Sequence, residues 1–301
     1  MNDITITIGI PTYNRADTIA DVLNRAVADG INLMPGIDIL VIDDDSPDDT
    51  YSRLLSISEK HQNIHVLKND QRLGFQGNFV NVIRTCRSDY VVISADDDFL
   101  VGDGIGRLRN AIAALPHPPA LISSVFYKDG AVERGQDDGV RRIELPEFRN
   151  CCAHLPGIVL NTAQAKQGCD VLGPMLFDPD NYYPQCCLAF LFLSYRLPCF
   201  YLPLELSRTG WDRESGIARY ATVEGRWKQY QFFVSFMGAV AAALQKEGQQ
   251  EKFDLAMRQL ESEKHALFNL IGFGIRNERP EFASYFLAGA LEFANSNKNT
   301  Q

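Results

Sequence analysis

Over its first 115 residues the chain alternates short apolar runs with stretches of helical periodicity. Ile4, Ile6, Ile8 and Ile10 alternate with Thr5, Thr7 and Gly9, the period of two that marks a strand. Ile19, Val22, Leu23, Ala26 and Val27 follow at i, i+3, i+4, i+7 and i+8, which predicts a helix with one apolar stripe. Asn14 is placed to cap that helix, Asp17 lies in its first turn, and Gly30 marks its stop. Three more runs read as strands: Ile37 to Ile42, Ile64 to Leu67, and Tyr90 to Ser94. Leu54, Leu55 and Ile57, then Phe79, Val82, Ile83 and Cys86, then Ile105, Leu108, Ile112 and Leu115 supply the intervening and closing helices. The order βαβαβαβα predicts an α/β fold with a mostly parallel sheet flanked by helices.

Beyond residue 115 the pattern loosens. Pro116, Pro118 and Pro119 interrupt it, Ala120 to Tyr127 is strand-like, and Asp129-Gly130 signals a turn. Residues 131–150 are polar and read as irregular or hairpin. Gly157 to Asn161 is apolar, Phe177 to Pro184 is a loop rich in Asp, Pro and Tyr, and Cys186 to Tyr195 is an apolar helix or strand. Ser207 to Gly216, with Trp211 and several charges, reads as a mobile loop. Residues 217–296 read as helical, with breaks near Gly248 and Arg279-Pro280.

Charge sharpens this picture. Residues 1–150 hold 15 Lys and Arg against 23 Asp and Glu, whereas residues 151–301 hold 14 against 15. The acidic excess therefore lies in the first half, which argues against a nucleic-acid-binding face. The seven cysteines include no CxxC pair, and most stand beside apolar residues, so buried free thiols are expected. The N-terminus enters the first strand directly, with no signal-peptide pattern, and the longest nearly apolar run, Phe232 to Leu244, is too short to span a bilayer. A cytoplasmic protein is expected, with peripheral contact at the inner face of the plasma membrane and a homodimer both compatible.

Two strands end in acid clusters: Asp43-Asp44-Asp45 after the second and Asp96-Asp97-Asp98 after the fourth. Adjacent carboxylates repel one another, and each costs free energy to desolvate. A divalent cation would reconcile them, because hard cations take carboxylate oxygens, and a solvated acidic turn is the alternative. In a parallel sheet both clusters reach the edge where α/β folds bind ligands, and Pro11 to Arg15 ends the first strand at that same edge. The resulting crevice suits a nucleotide: an acid can accept from base or ribose, Tyr13 can stack, and a metal can hold a diphosphate.

Three blocks, Ile8-Gly9-Ile10-Pro11-Thr12-Tyr13-Asn14-Arg15, Val41-Ile42-Asp43-Asp44-Asp45-Ser46-Pro47-Asp48-Asp49-Thr50 and Ile93-Ser94-Ala95-Asp96-Asp97-Asp98, resemble glycosyltransferase family 2 in content, order and spacing. The resemblance covers residues 1–115. The later region is similar to abequosyltransferase-like enzymes of bacterial surface polysaccharide synthesis. The resemblance implies a GT-A fold, with residues 1–205 as catalytic domain (1–115 for the donor, 116–205 for the acceptor) and 206–301 as a mobile loop and helical region. It implies transfer of a sugar from a nucleotide-diphosphate donor to a glycan or polyprenyl-linked glycan, with Mg2+ or Mn2+ required. By motif, Pro11, Thr12, Tyr13, Arg15, Asp43 and Asp44 would hold the nucleotide. Asp96 and Asp98 would be the DxD-type metal acids, with Asp97 contacting the nucleotide sugar or replacing Asp98 if the register is an adjacent pair. Arg208 and Arg213 would reach the diphosphate.

Inversion at the anomeric carbon needs a base for the acceptor hydroxyl. The family's base position reads Tyr182-Tyr183-Pro184-Gln185-Cys186, without an acid. Asp180 and then Asp178 are the nearest carboxylates, His154 is a further candidate base, and a retaining reaction remains open. Lys68 and Arg72 flank the third strand as candidate nucleotide contacts or as solvated charges. Two rivals stand beside the transferase reading: a non-catalytic nucleotide-sugar-binding module, and a sugar nucleotidyltransferase, disfavoured because Pro11 to Arg15 is not a basic Gly-rich phosphate loop.

Overall fold

A computed structural model describes residues 4–128, 131–134, 139–152, 154–210 and 223–276. In chain order the elements are β1 (Ile6–Thr12), α1 (Ala16–Ala28), β2 (Ile37–Asp43), α2 (Thr50–Ser58), β3 (Ile64–Lys68), α3 (Gly74–Thr85), β4 (Tyr90–Ile93), β5 (Asp98–Leu100), α4 (Gly102–Ala113), β6 (Leu121–Lys128), β7 (Ala131–Arg134), β8 (Arg141–Arg142), α5 (Phe148–Cys152), β9 (Ile158–Asn161), α6 (Thr162–Leu172), α7 (Pro184–Ser194), β10 (Cys199–Thr209), α8 (Val223–Lys246) and α9 (Gln250–Arg276). The chain divides into two compact units. One is Met1–Asp178 with Tyr183–Asp212, and the other is Pro179–Tyr182 with Arg213–Gln301.

The first unit is built on one sheet with strand order β3-β2-β1-β4-β9-β6-β10-β5. The pairs β3–β2, β2–β1, β1–β4 and β6–β10 are parallel, while β4–β9, β9–β6 and β10–β5 are antiparallel. The first half is thus parallel, as its βα alternation predicts. The second half is mixed, with β9 antiparallel to both of its neighbours and β5 following β4 with no crossover helix between them. Every residue of β1 is buried despite its Ile/Thr alternation. It is a central strand with both faces covered, so polar Thr7 and Thr12 are enclosed as well.

Glycines mark the closest approaches. A Cβ on Gly9 would lie 2.3 Å from a Val82 methyl, so α3 sits directly on β1 there. A Cβ on Gly104 would lie 1.8 Å from the Glu205 carbonyl oxygen, so α4 packs backbone-close on β10. Gly30 follows α1 with φ of 69°, the left-handed stop its position predicts.

Asn14 differs from its expected role. The residue capping α1 is Arg15, and no side chain of its own caps the helix. The chain instead turns through a left-handed Asn14 (φ 55°), and the free N–H groups at the helix start find partners on the next loop. The polar stretch 131–150 forms the short strands β7 and β8, and Cys186 to Tyr195 resolves as the helix α7. The expected mobile loop from Ser207 is strand as far as Thr209; Trp211, Asp212 and Arg213 lie outside the described residues, as do Asp129-Gly130 and Arg279-Pro280. All seven cysteines are free and buried, and burial pushes the thiols of Cys86, Cys169 and Cys199 up to about 12.

In the second unit α8 packs on α9, with a break at Gly248 (φ 71°). Trp227 stacks on Tyr230, and Phe233, Phe236, Met237, Val240 and Leu244 are buried. The side chains of α9 are described only to Lys264. Among the described residues no helix is long and apolar enough to cross a membrane.

Two substitutions in α4 should move stability in opposite directions. Gly104→Ala forces a methyl against a fixed carbonyl and should lower stability by about 1–3 kcal/mol or more. Gly106→Ala meets nothing closer than 3.9 Å on an exposed helix position and should raise it by about 1 kcal/mol. Urea unfolding of both variants checks the pair; equal effects would contradict the packing of α4 on β10.

Candidate active site

The ends of β1, β2 and β4 meet at one edge, and hydrogen bonds stitch them together. Thr12, the last residue of β1, donates its hydroxyl to the Asp96 carboxylate at 2.8 Å. Its carbonyl accepts from the Asp44 N–H at 2.9 Å and from the Asn78 side chain at 3.4 Å. One residue therefore ties together all three motif segments. Thr12 is buried, and its hydroxyl is already donated to Asp96.

Two hydroxyl relays fix the β1–α1 turn to the β2–α2 loop. The Asn14 N–H donates to Ser46 Oγ at 2.8 Å, and Ser46 donates onward to Asp43. The Arg15 N–H donates to Thr50 Oγ1 at 3.0 Å, and Thr50 donates onward to Asp48 at 2.5 Å. Burial pushes the Asp48 carboxyl upward, but hydrogen bonds from Thr50 and Ala16 outweigh it and leave the group below the usual carboxylate range. The Arg15 relay satisfies the N–H of the residue at the cap of α1, a group the helix itself leaves open.

Asp43 and Asp44 are both buried, and their carboxylates are engaged within the protein. Asp43 accepts from the Ser46 N–H at 3.0 Å as well as from its hydroxyl. Asp44 accepts from the N–H groups of Leu73 and Gly74 and from Asn69, each at 2.8 Å, so it caps α3. Asp45, left-handed with φ of 58°, pairs with Lys68 at 2.8 Å. Lys68 stands opposite Asp43 in the β2–β3 register. Arg72 lies over the Tyr13 ring at 4.0 Å. Both cations flanking β3 are exposed and make their contacts on this edge.

An amide network was not anticipated from the sequence. Asn78 donates to the Ile42 carbonyl at 2.8 Å, Asn69 donates to Asn78 at 3.3 Å, and Asn81 donates to Asn69 at 2.7 Å. Its signal is visible in hindsight: Asn78 interrupts the apolar face of α3, where a buried amide must find partners.

The acid triplet separates by environment. Asp96 and Asp97 keep partial exposure, while Asp98 is enclosed and opens β5 opposite Thr209 of β10. Burial pushes the Asp96 carboxyl up to about 6, against the Thr12 hydroxyl and the Arg15 charge, with Asp97 raising it further. Pro11 is buried within β1, and Arg15 is half-buried, close enough for its charge to act on Asp96. Arg208 lies on β10 beside Phe99 and forks onto Glu205 at 2.8 and 2.7 Å. Arg213 is outside the described residues. Asp178 follows Phe177, which lines a surface cavity of about 610 Å³ beside α3 with Asn69 and Asn81. Asp180 belongs to the second unit.

The donor set at this edge is all oxygen, which suits Mg2+ or Mn2+ over softer metals. Among the described residues no three His, Cys, Asp or Glu side chains gather as a ready cage. A cation would take one or two of these carboxylates and complete its shell with phosphate oxygens and water, as Mg2+ commonly does.

The raised Asp96 carboxyl has a measurable consequence in metal-free protein. Its folded value of about 6 exceeds the unfolded value of about 3.9, so the folded form binds the proton more tightly. Stability should therefore fall as pH rises from about 4 through about 6, with the full penalty above that. In EDTA, Asp96→Asn should unfold at higher temperature than the unaltered protein at pH 8 and lose that advantage near pH 4. A gain independent of pH would refute the desolvated carboxylate as its source.

The family model of glycosyl transferase family 2 matches residues 7–159. A dolichol-phosphate mannosyltransferase of Pyrococcus furiosus is 25% identical over 135 residues, covering 44% of this chain and 31% of that protein. The match therefore spans about a third of that relative's length. The structure of Staphylococcus aureus TarS 1–349 superposes with a TM-score of 0.58 at 14% identity, over 96% of this chain and 92% of that one. Mannosyltransferase PcManGT from Pyrobaculum calidifontis, solved with GDP-Man and Mn2+, gives 0.55 at 14% identity, over 95% and 86%. These two structures share the GT-A fold, and the α/β sheet described above, with its flanking helices, is that fold. The family model spans just over half of the sequence, and the chain belongs to glycosyl transferase family 2.

Proposed function

We propose that this chain is a metal-dependent glycosyltransferase. It moves a sugar from a nucleoside diphosphate to a glycan or lipid-linked glycan acceptor in bacterial surface polysaccharide synthesis. The observation that carries the reading is the Thr12 junction, which brings the three motif segments to one edge and aims a hydrogen-bonded Asp96 there. The complexes of TarS with UDP-GlcNAc and of PcManGT with GDP-Man and Mn2+ support a nucleotide-sugar donor. The acceptor class rests on the similarity of the later region to abequosyltransferase-like enzymes.

In this reading Tyr13, under Arg72, offers the base a flat face, and Arg15 faces the diphosphate. Asp96 and Asp97, the partly exposed acids, hold the cation and the ribose, while enclosed Asp98 anchors β5. Asp43 and Asp44 support the floor of the site, because their oxygens already accept internal hydrogen bonds. Arg208 reaches the diphosphate by exchanging its Glu205 partner, an ion pair exposed enough to be exchanged at little cost. A cation held by these acids would supply Lewis-acid stabilisation of the charge that grows on the leaving diphosphate. Two unit charges 4 Å apart are worth about 4 kcal/mol at an effective dielectric of 20, roughly three powers of ten in rate.

Thermal unfolding with UDP, GDP, CDP, ADP and dTDP, each with and without Mn2+, tests the donor site. One nucleotide should stabilise the protein only with Mn2+, by about 2.7 kcal/mol at a hundredfold excess over its dissociation constant. EDTA should abolish both that shift and release of the diphosphate from the corresponding nucleotide sugar. Equal shifts with EDTA would remove the metal from the mechanism, and no shift with any nucleotide would remove the donor site.

A further inference from the structure

The cavity of about 610 Å³ beside α3 is lined by the loop from β3 to α3, by one side of α3 and by Phe177. Neither Tyr13 and Arg72 nor the acids at the ends of β2 and β4 line it, so it is separate from the donor edge. Leu73, Gly77, Val80, Asn81 and Arg84 recur at the spacing of a single helix face. The helix turns Val82 elsewhere, onto Gly9 of β1. Gly77 leaves its part of the wall bare, and a Cβ there would lie 2.6 Å from the Leu73 Cβ. The volume is that of a site for a small ligand, the size of a short oligosaccharide.

The lining narrows the class of ligand. Its two cations are already committed, Lys68 to Asp45 at 2.8 Å and Arg84 to Asp170 at 2.9 Å. Asp70 adds a negative charge on the exposed rim. A phosphate or an anionic lipid headgroup would therefore meet repulsion and no uncommitted cation among the lining residues. A wholly apolar partner would bury Asp70, Gln71 and Asn81 without hydrogen bonds, which is costly. A neutral ligand rich in hydroxyl groups fits better. Asn81 gives one N–H to Asn69 at 2.7 Å, and among the described residues its carbonyl meets no partner. Gln71 and Asp70 are exposed beside it. These side chains bring donors and acceptors together, which suits hydroxyls that do both. Leu73 and Phe177 are 42% and 47% exposed, an apolar surface against which the C–H face of a sugar ring can lie.

We propose that this cavity is a glycan-binding site that holds an uncharged stretch of the acceptor chain away from the point of transfer. Glycan binding follows from the lining alone, whereas the identity of that glycan as the acceptor rests on the function proposed above. A chain anchored there gains effective concentration at the donor edge without any further contact to the reacting sugar.

The test uses the full chain with short neutral oligosaccharides cut from bacterial polysaccharide, read by saturation-transfer NMR and calorimetry. Inorganic phosphate and phosphatidylglycerol vesicles are the anionic probes. At least one oligosaccharide should bind. Phe177→Ala and Gln71→Ala should each weaken it by about tenfold, and Phe177→Trp, which keeps a flat face, should retain it. The Mn2+-dependent thermal shift with nucleoside diphosphates should be the same in all three variants as in the unaltered protein. Binding that both alanine variants leave unchanged would put the glycan elsewhere and overturn the proposal. So would the absence of binding by every oligosaccharide, or binding of phosphate or vesicles that the same variants abolish. Any of these results with the nucleotide shift retained would leave the donor site standing. Glycan binding at this cavity with no nucleotide shift would overturn the donor reading and leave the glycan site standing.

Discussion

The site depends on the Thr12 junction. Parallel strands deliver their C-terminal ends to one edge, but they do not by themselves fix the loops that leave it. Here a single buried threonine uses its hydroxyl on one loop and its carbonyl on another. The hydroxyl works against the cost of seating Asp96 beside Asp97 in a partly dehydrated place. A strained carboxylate of this kind is expected where charge is to be bound, since a cation or ribose hydroxyl relieves what the empty fold tolerates.

The second constraint is the path from β4 to β5. Five Cα steps separate Ile93 from Asp98 and reach at most about 18 Å. Four inter-strand steps across a flat sheet would span about 19 Å. The sheet therefore curls. β10 supplies the bend, its register on β6 shifting twice between Leu202 and Ser207. Its leucines 202, 204 and 206 join the same core as Ile6, Ile8 and Ile19, and Phe99 lies beneath Arg25 of α1. Gly210 completes the approach: a Cβ there would sit 2.5 Å from the Asp97 carbonyl oxygen. The enclosed Asp98 is part of this docking, which explains why the three adjacent acids have different surroundings.

The first 115 residues were legible because their signals are local. Strand runs, a helical stripe and acids placed at strand ends survive without knowledge of partners, and Ile37 to Asp43 or Gly102 to Ala113 fell where their patterns placed them. Roles set by tertiary partners were not legible. Asp44 reads like a ligand acid, yet Leu73 and Gly74, about thirty residues on, make it a helix cap. Asn14 reads like a cap, yet it takes a left-handed turn one residue before the cap position, and its own N–H is given to Ser46. The strand character of Ser207 to Thr209 depends on pairing with Asp98 to Leu100, a partner no local pattern names.

The two hydroxyl relays carry a direction. Ser46 and Thr50 must each accept from a backbone N–H and give their own proton to a carboxylate, so neither link tolerates reversal. Asp43 with Ser46, and Asp48 with Thr50, therefore behave as two-residue units that a lineage would exchange together. For anyone transplanting this site to another GT-A scaffold, the smallest portable piece is not the acid triplet. It is the whole seam from Thr12 to Thr50 with the asparagines of α3 behind it, since Asp96 moved alone would arrive without the group that holds it.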